Sequence, residues 1–228
     1  MRLRTNGIVL GTVLGAFVLA FAALGFQDIH PVTGRPIARV MGAAGADWLD
    51  RPEREREENP EGALDAIGIR PGMIVADIGA GTGYMSLRLA KRVGPTGKVY
   101  ANDIQPEMLR RLRQNADQAK LKNIETILGS DVDPKLPAGQ MDLVLLVDVY
   151  HEFSQPQKML RAIRATLKPG GRLVLLEYRK EDPAVPILPE HKMSVSEVKK
   201  ELEAERFTLS QVIESLPRQH ILILLRAP

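Results

Sequence analysis

The sequence contains no cysteine. That absence excludes disulfides, cysteine-ligated zinc, iron–sulfur clusters and a cysteine nucleophile, and leaves the redox compartment open. Aromatic residues make up only 4% of the chain, with a single tryptophan. With so little to stack on bases, no nucleic-acid partner is expected. Neither charge dominates: 31 basic against 28 acidic residues leave a net +3, too little to argue for a polyanion. The four histidines, His30, His151, His191 and His220, are scattered and form no HExxH pair, so no metal site is expected. Internal repeats and low-complexity tracts are also lacking.

What is present is an ordinary folding sequence of 228 residues, 44% hydrophobic and 26% charged. At roughly 150 residues per domain this is one domain with an extension. The extension begins with Arg2 and Arg4, followed by a charge-free stretch over residues 5–27 whose part Ile8–Phe26 is almost wholly apolar. That run nearly reaches the ~20 residues that span a bilayer. It fits an uncleaved membrane anchor and also a secretory signal peptide, for which Ala20-Phe21-Ala22 is a small-x-small cleavage site. The two arginines favour an inside N-terminus and hence an outside remainder. The division expected is 1–27 signal or anchor, 28–62 linker and helical lid, and 63–228 the folded domain.

From Ala63 onward, apolar runs alternate with amphipathic segments. Strands are expected at Met73–Asp77, Lys98–Asp103, Ile124–Leu128, Met141–Val147, Arg172–Tyr178, Thr208–Ser215 and His220–Arg226. Helices fall between them, one opened by the capping box Ser194-Val-Ser-Glu197. Continuous apolar strands separated by helices specify an α/β fold, a parallel sheet covered on both faces. The last two strands have no helix between them and are expected to pair antiparallel.

The chemistry-bearing segment is Val75-Ala-Asp-Ile-Gly-Ala-Gly-Thr-Gly83, a strand entering a glycine turn and then a helix. Such a turn lies at the carboxyl end of the first strand, where doubly wound sheets bind ligands. Its spacing is DxGxGxG. A GxGxxG dinucleotide fingerprint fails because Tyr84 follows Gly83. Asp77 places an anion that repels a pyrophosphate and suits an ammonium or sulfonium group. Asp103 ends the second strand and is placed to accept both hydroxyls of a ribose or to cap the next helix. Asp131 is placed to accept from an adenine amino group or simply to make a turn. Gly94-Pro-Thr-Gly-Lys98 is not a phosphate loop, because Arg92 and Val99 stand where glycine and a hydroxyl residue are required.

Four segments, VADIGAGTGY (75–84), YANDIQPEML (100–109), the Asp131 turn and LKPGGRLVLLEY (167–178), resemble the class I S-adenosylmethionine-dependent methyltransferases. The likeness extends from about Ala63 to the C-terminus and is similar to the small-molecule branch around ubiquinone/menaquinone methyltransferases. It implies a Rossmann-like seven-stranded sheet of order 3-2-1-4-5-7-6 with strand 7 antiparallel. It implies S-adenosyl-L-methionine as cofactor, its amino-acid end cradled by Asp77, Gly79, Gly81 and Gly83, its ribose at Asp103 beside Ile104, and its adenine at Asp131. The resemblance also implies a small-molecule acceptor of quinol, thiol or phenol type.

On the acceptor side, His151 follows the fourth strand. It is placed to act as general base, oriented by Asp148 or Glu152, or else to cap the following helix. Trp48 and Arg51 are candidates for a lid, with Tyr84, Tyr150 and Tyr178 lining the cleft. His191 and Lys192 fall in an acceptor-side loop with no assigned role. The alternatives are a cofactor-binding but non-catalytic membrane-tethered protein and a nicotinamide oxidoreductase. Supply of the cofactor favours the cytoplasmic face of the membrane, whereas Arg2 and Arg4 favour export.

Overall fold

The computed structural model describes residues 28–227. The anchor and signal readings of residues 5–27 lie outside the described residues, among which no helix is long and apolar enough to cross a membrane. Strands β1 (Ile74–Ile78), β2 (Lys98–Asp103), β3 (Ile124–Leu128), β4 (Met141–Val147) and β5 (Leu167–Arg179) run parallel. They are followed by a two-residue strand β6 (Lys192–Met193) and then β7 (Phe207–Ile213) and β8 (Gln219–Arg226). The order is β3-β2-β1-β4-β5-β8-β7, with β6 paired to the end of β5. β8 is antiparallel to both β5 and β7. This is the expected sheet, with β6 added; two residues are too few to leave a periodic signal.

Helices α1 (Ala46–Leu49), α2 (Arg54–Glu58) and α3 (Pro60–Ile67) precede the sheet. Helices α4 (Tyr84–Val93), α5 (Pro106–Gln118), α6 (Pro156–Thr166) and α7 (Val195–Glu203) cross between strands. The strand residues divide by parity between two cores. Val144, Leu146, Leu173, Leu175, Leu222 and Leu224 pack with α6 and α7 on one face. Leu143, Leu145, Val174, Leu176, Ile221 and Ile223 pack with α3 and α4 on the other. Burial on both faces is why the strands read as unbroken apolar runs, each such side chain contributing about 1.5–3 kcal/mol.

The segment before α1 is pinned to the domain as a strap. Arg35 and Glu201 of α7 form a buried bidentate ion pair, with Nε–Oε1 at 2.9 Å and Nη2–Oε2 at 3.1 Å. The Ala38 amide donates to the His151 carbonyl at 3.1 Å. Further along, Thr82 Oγ1 donates to Asp50 Oδ1 at 2.7 Å, tying the end of α1 to the glycine turn.

Candidate active site

A cavity of about 490 Å³ opens at the carboxyl ends of β1, β2 and β4, the position where ligands enter open α/β sheets. Its floor is the turn after β1. Gly79 has φ +72°, and a Cβ there would stand 2.4 Å from Val149 Cγ2. Only glycine accommodates both the left-handed backbone and that approach. A Cβ on Gly81 would meet Leu49 Cδ1 of α1 at 3.0 Å, so α1 rests on the turn itself. Gly83 caps α4 and lies outside the cavity lining.

The acids around this floor are held by short hydrogen bonds. Asp77 is buried and accepts from Ser86 Oγ at 2.6 Å. Burial outweighs that bond and the Arg54 charge and pushes its carboxyl up to about 6. Asp103 accepts the Gly81 amide on Oδ2 (2.9 Å) and the Gln105 amide on Oδ1 (2.8 Å). It therefore locks the glycine turn to β2, and its side chain belongs to the cavity lining. Gln105, not Asp103, is the N-cap of α5. Ile104 and Asp131 lie on the exposed rim.

Behind the turn lies a second polar group that sequence reading largely missed. Arg54 donates to Glu58 at 2.7 Å, and Tyr178 Oη donates to the other Glu58 oxygen at 2.9 Å. Arg54 and Arg88 each stack on the Tyr84 ring at 4.0 Å. Asp148 is held at φ +52° and accepts from Gln219 Nε2 at 2.7 Å, while its buried Oδ1 has no partner. Burial first, then the charges of Glu58 and Glu177, raises its carboxyl well above the usual range. Of the lid candidates, Trp48 lines the cavity. Arg51 does not; it stacks on Trp48 at 3.8 Å and pairs with Glu57 at 2.7 Å. Arg54 lines the cavity.

His151 lies at the acceptor side. Its Nδ1 is 2.6 Å from Glu177 Oε2, and Glu177 Oε1 accepts the Tyr150 amide at 2.9 Å. In the tautomer that donates from Nδ1 to Glu177, the Nε2 lone pair points toward His191. The orienting carboxylate is thus Glu177, not Asp148 or Glu152. A glutamate inside the apolar strand Leu-Val-Leu-Leu-Glu-Tyr is the signal in the sequence, since a buried charge needs a partner. Nε2 faces His191 Nδ1 at 3.0 Å. Glu152 lies 3.9 Å from that nitrogen, and burial pushes its carboxyl up to about 7. Two of the scattered histidines are therefore brought together here, 40 positions apart in the chain. Tyr150 is a correction: it is fully buried in the α6–α7 core and does not line the cavity. Its hydroxyl meets His30 Nε2 at 3.3 Å.

Phe153, Pro186, Ile187 and Leu188 complete an apolar wall beside His151. Of the seven large hydrophobics exposed among the described residues, Val40, Trp48, Ile104 and Leu188 line this one cavity.

A methyltransferase-domain family model matches residues 69–220. The chain is 34% identical over 119 residues to a ubiquinone/menaquinone biosynthesis C-methyltransferase of Hydrogenovibrio crunogenus, covering 52% of this chain and 47% of that protein. It is 33% identical over 126 residues to the enzyme of the same name from Ectopseudomonas mendocina, covering 55% and 48%. The chain thus spans about half the length of these curated relatives. Among solved structures, a SAM dependent methyltransferase from Aquifex aeolicus superposes with a TM-score of 0.78 at 29% identity, over 82% of this chain and all of that one.

Proposed function

The chain belongs to the class I S-adenosylmethionine-dependent methyltransferases, and on that premise we propose that it methylates a small apolar acceptor bearing a thiol, phenol or quinol hydroxyl. The observation that carries the reading is the continuous cavity joining the Asp103-locked glycine turn to an apolar wall with an oriented histidine. When bound, S-adenosylmethionine supplies an electrophilic methyl carbon on a sulfonium.

The residues present fit that cofactor. The Gly79–Gly81 cradle is room a side chain would fill. Asp148 Oδ1 is a buried acceptor without a partner, suited to an ammonium group. The Asp103 carboxylate in the lining suits ribose hydroxyls, and Asp131 on the rim suits an adenine amino group. Asp77 offsets positive charge. His151, fixed by Glu177, takes the proton of the acceptor through Nε2. Trp48 and Leu49 close over the cofactor and exclude water, and the remaining work is alignment, which supplies several kcal/mol.

The exposed apolar rim favours an acceptor that partitions into lipid. The apolar run Ile8–Phe26 supports a membrane tether for the same reason. In calorimetric titration of the full-length chain in detergent, S-adenosylmethionine and its demethylated product bind, and Asp103→Ala abolishes the heat signal. Undiminished binding by the variant, or none by the folded wild type, sinks the reading.

A further inference from the structure

The group on the acceptor side has more donors than a proton relay requires. His151 Nε2 and His191 Nδ1 are 3.0 Å apart, and the Glu152 carboxylate lies 3.9 Å from His191 Nδ1. The three donor atoms fall within 4.8 Å of one another. All three side chains line the cavity. Behind His151, Glu177 is wholly buried and holds Nδ1 at 2.6 Å. That contact fixes the ring and aims the Nε2 lone pair at the same point.

We propose that His151, Glu152 and His191 bind a divalent first-row metal ion, with its open positions turned toward the acceptor pocket. Two imidazoles and one carboxylate are the donor set such ions take when they keep sites free for a ligand. A metal about 2.1 Å from each of two nitrogens 3.0 Å apart subtends an angle of about 90°. That is a cis pair in five- or six-coordinate geometry. Binding moves the His191 proton from Nδ1 to Nε2 and draws the Glu152 carboxylate inward. The arrangement Glu177–His151–metal is the outer-sphere carboxylate that ligating histidines require. The ligand expected at the open position is a thiolate or an ionised hydroxyl. Its S–H or O–H bond breaks, the proton leaves to the buffer, and the sulfur or oxygen bonds the metal. This rests on the methyl-transfer reading only for what the ligand is. With the metal bound, the proton leaves to the buffer in place of His151, which takes it in the metal-free site; the cofactor cradle stays as described.

The test is calorimetric titration of the chelator-treated, redialysed full-length chain with Zn²⁺, with S-adenosylhomocysteine titrated separately. One Zn²⁺ is expected per chain. His191→Ala and Glu152→Gln are expected to weaken it at least as much as Glu177→Gln, for which the loss of an outer-sphere partner gives about 10–100-fold. His220→Ala is expected to leave the affinity unchanged, because His220 is already held between Glu214 and Glu181 at 2.6 and 3.0 Å. Substituted Co²⁺ is expected to show visible bands that shift on addition of a small aromatic thiol. Zn²⁺ binding without cofactor binding supports the metal site and removes the methyl-transfer reading. Absence of saturable Zn²⁺ binding in a chain that binds S-adenosylhomocysteine overturns the proposal. Unchanged affinity in both His191→Ala and Glu152→Gln, with native circular dichroism, does the same. Either result leaves the group as a hydrogen-bonded relay.

Discussion

Asp77 shows how one residue sets function against stability. Its carboxyl is buried at the end of β1 with only Ser86 as a side-chain hydrogen-bond partner, and burial lifts it from 3.8 to about 6. Its folded value therefore lies above its unfolded value. The folded state binds the proton more tightly, and stability is lost as pH rises from about 4 through about 6. A displacement of that size costs the ionised form about 3 kcal/mol. Asp77→Asn keeps an acceptor for Ser86 and removes the buried charge. At pH 3.5 the variant and wild type are expected to melt close together, whereas at pH 8 the variant is the more stable while cofactor affinity falls. Thermal melts at the two pH values check the first point and titration the second. A gap that does not grow with pH refutes the assignment of the burial cost to Asp77.

At the scale of elements, the strap and β5 separate what is legible in the sequence from what is not. The glycine turn, Asp103 and the strands around them are legible because each depends on residues close in sequence. The start of β5 is not. The sequence reading starts the strand at Arg172, yet it begins at Leu167, paired with Met141 across a register shift. The residue before a proline avoids the helical region, so Lys168 is already extended. The partners of His151 are less legible still. Glu177 and His191 lie 26 and 40 positions away, and no local periodicity encodes that meeting. The Arg35–Glu201 pair spans 166 positions and fixes the strap whose Arg35 and Ala38 donate to the His151 carbonyl. Arg35→Ala leaves Glu201 charged, buried and short of its guanidinium, a change that costs about 3–5 kcal/mol. The expected result is a lower denaturation midpoint and new proteolytic cleavage within residues 28–40. Arg35→Met combined with Glu201→Leu is expected to recover most of the loss. A single variant as stable as wild type would show that the pair contributes nothing net.

At the scale of the whole molecule, the cavity is assembled from several stretches that local folding does not bring together, among them the end of β2 with Asn102–Gln105. The strap and α1 supply Met41, Trp48 and Leu49. The turn after β1 supplies Gly79–Thr82. The ends of β4 and β5 with the loop before β6 supply Val147–Val149, His151–Phe153, Tyr178, Pro186–Leu188 and His191. The sheet is the rigid frame, buried on both faces. The contacts that hold the strap and α1 to it include Arg35–Glu201, Thr82–Asp50, and Gln105 Nε2 donating to the Met41 carbonyl at 3.0 Å. A ligand that touches all of these stretches therefore stabilises the weakest of them most. At a hundred times its Kd, S-adenosylhomocysteine is expected to add about 2.7 kcal/mol to unfolding, seen as one shifted transition. Amide exchange is expected to slow at Leu49–Asp50 and Gly79–Thr82 together, with β7 at the sheet edge unchanged. If protection is confined to the glycine turn, the N-terminal segment is a passive cover and the lid role of Trp48 and Leu49 fails. If both segments slow together, closing the lid and binding the cofactor are one event.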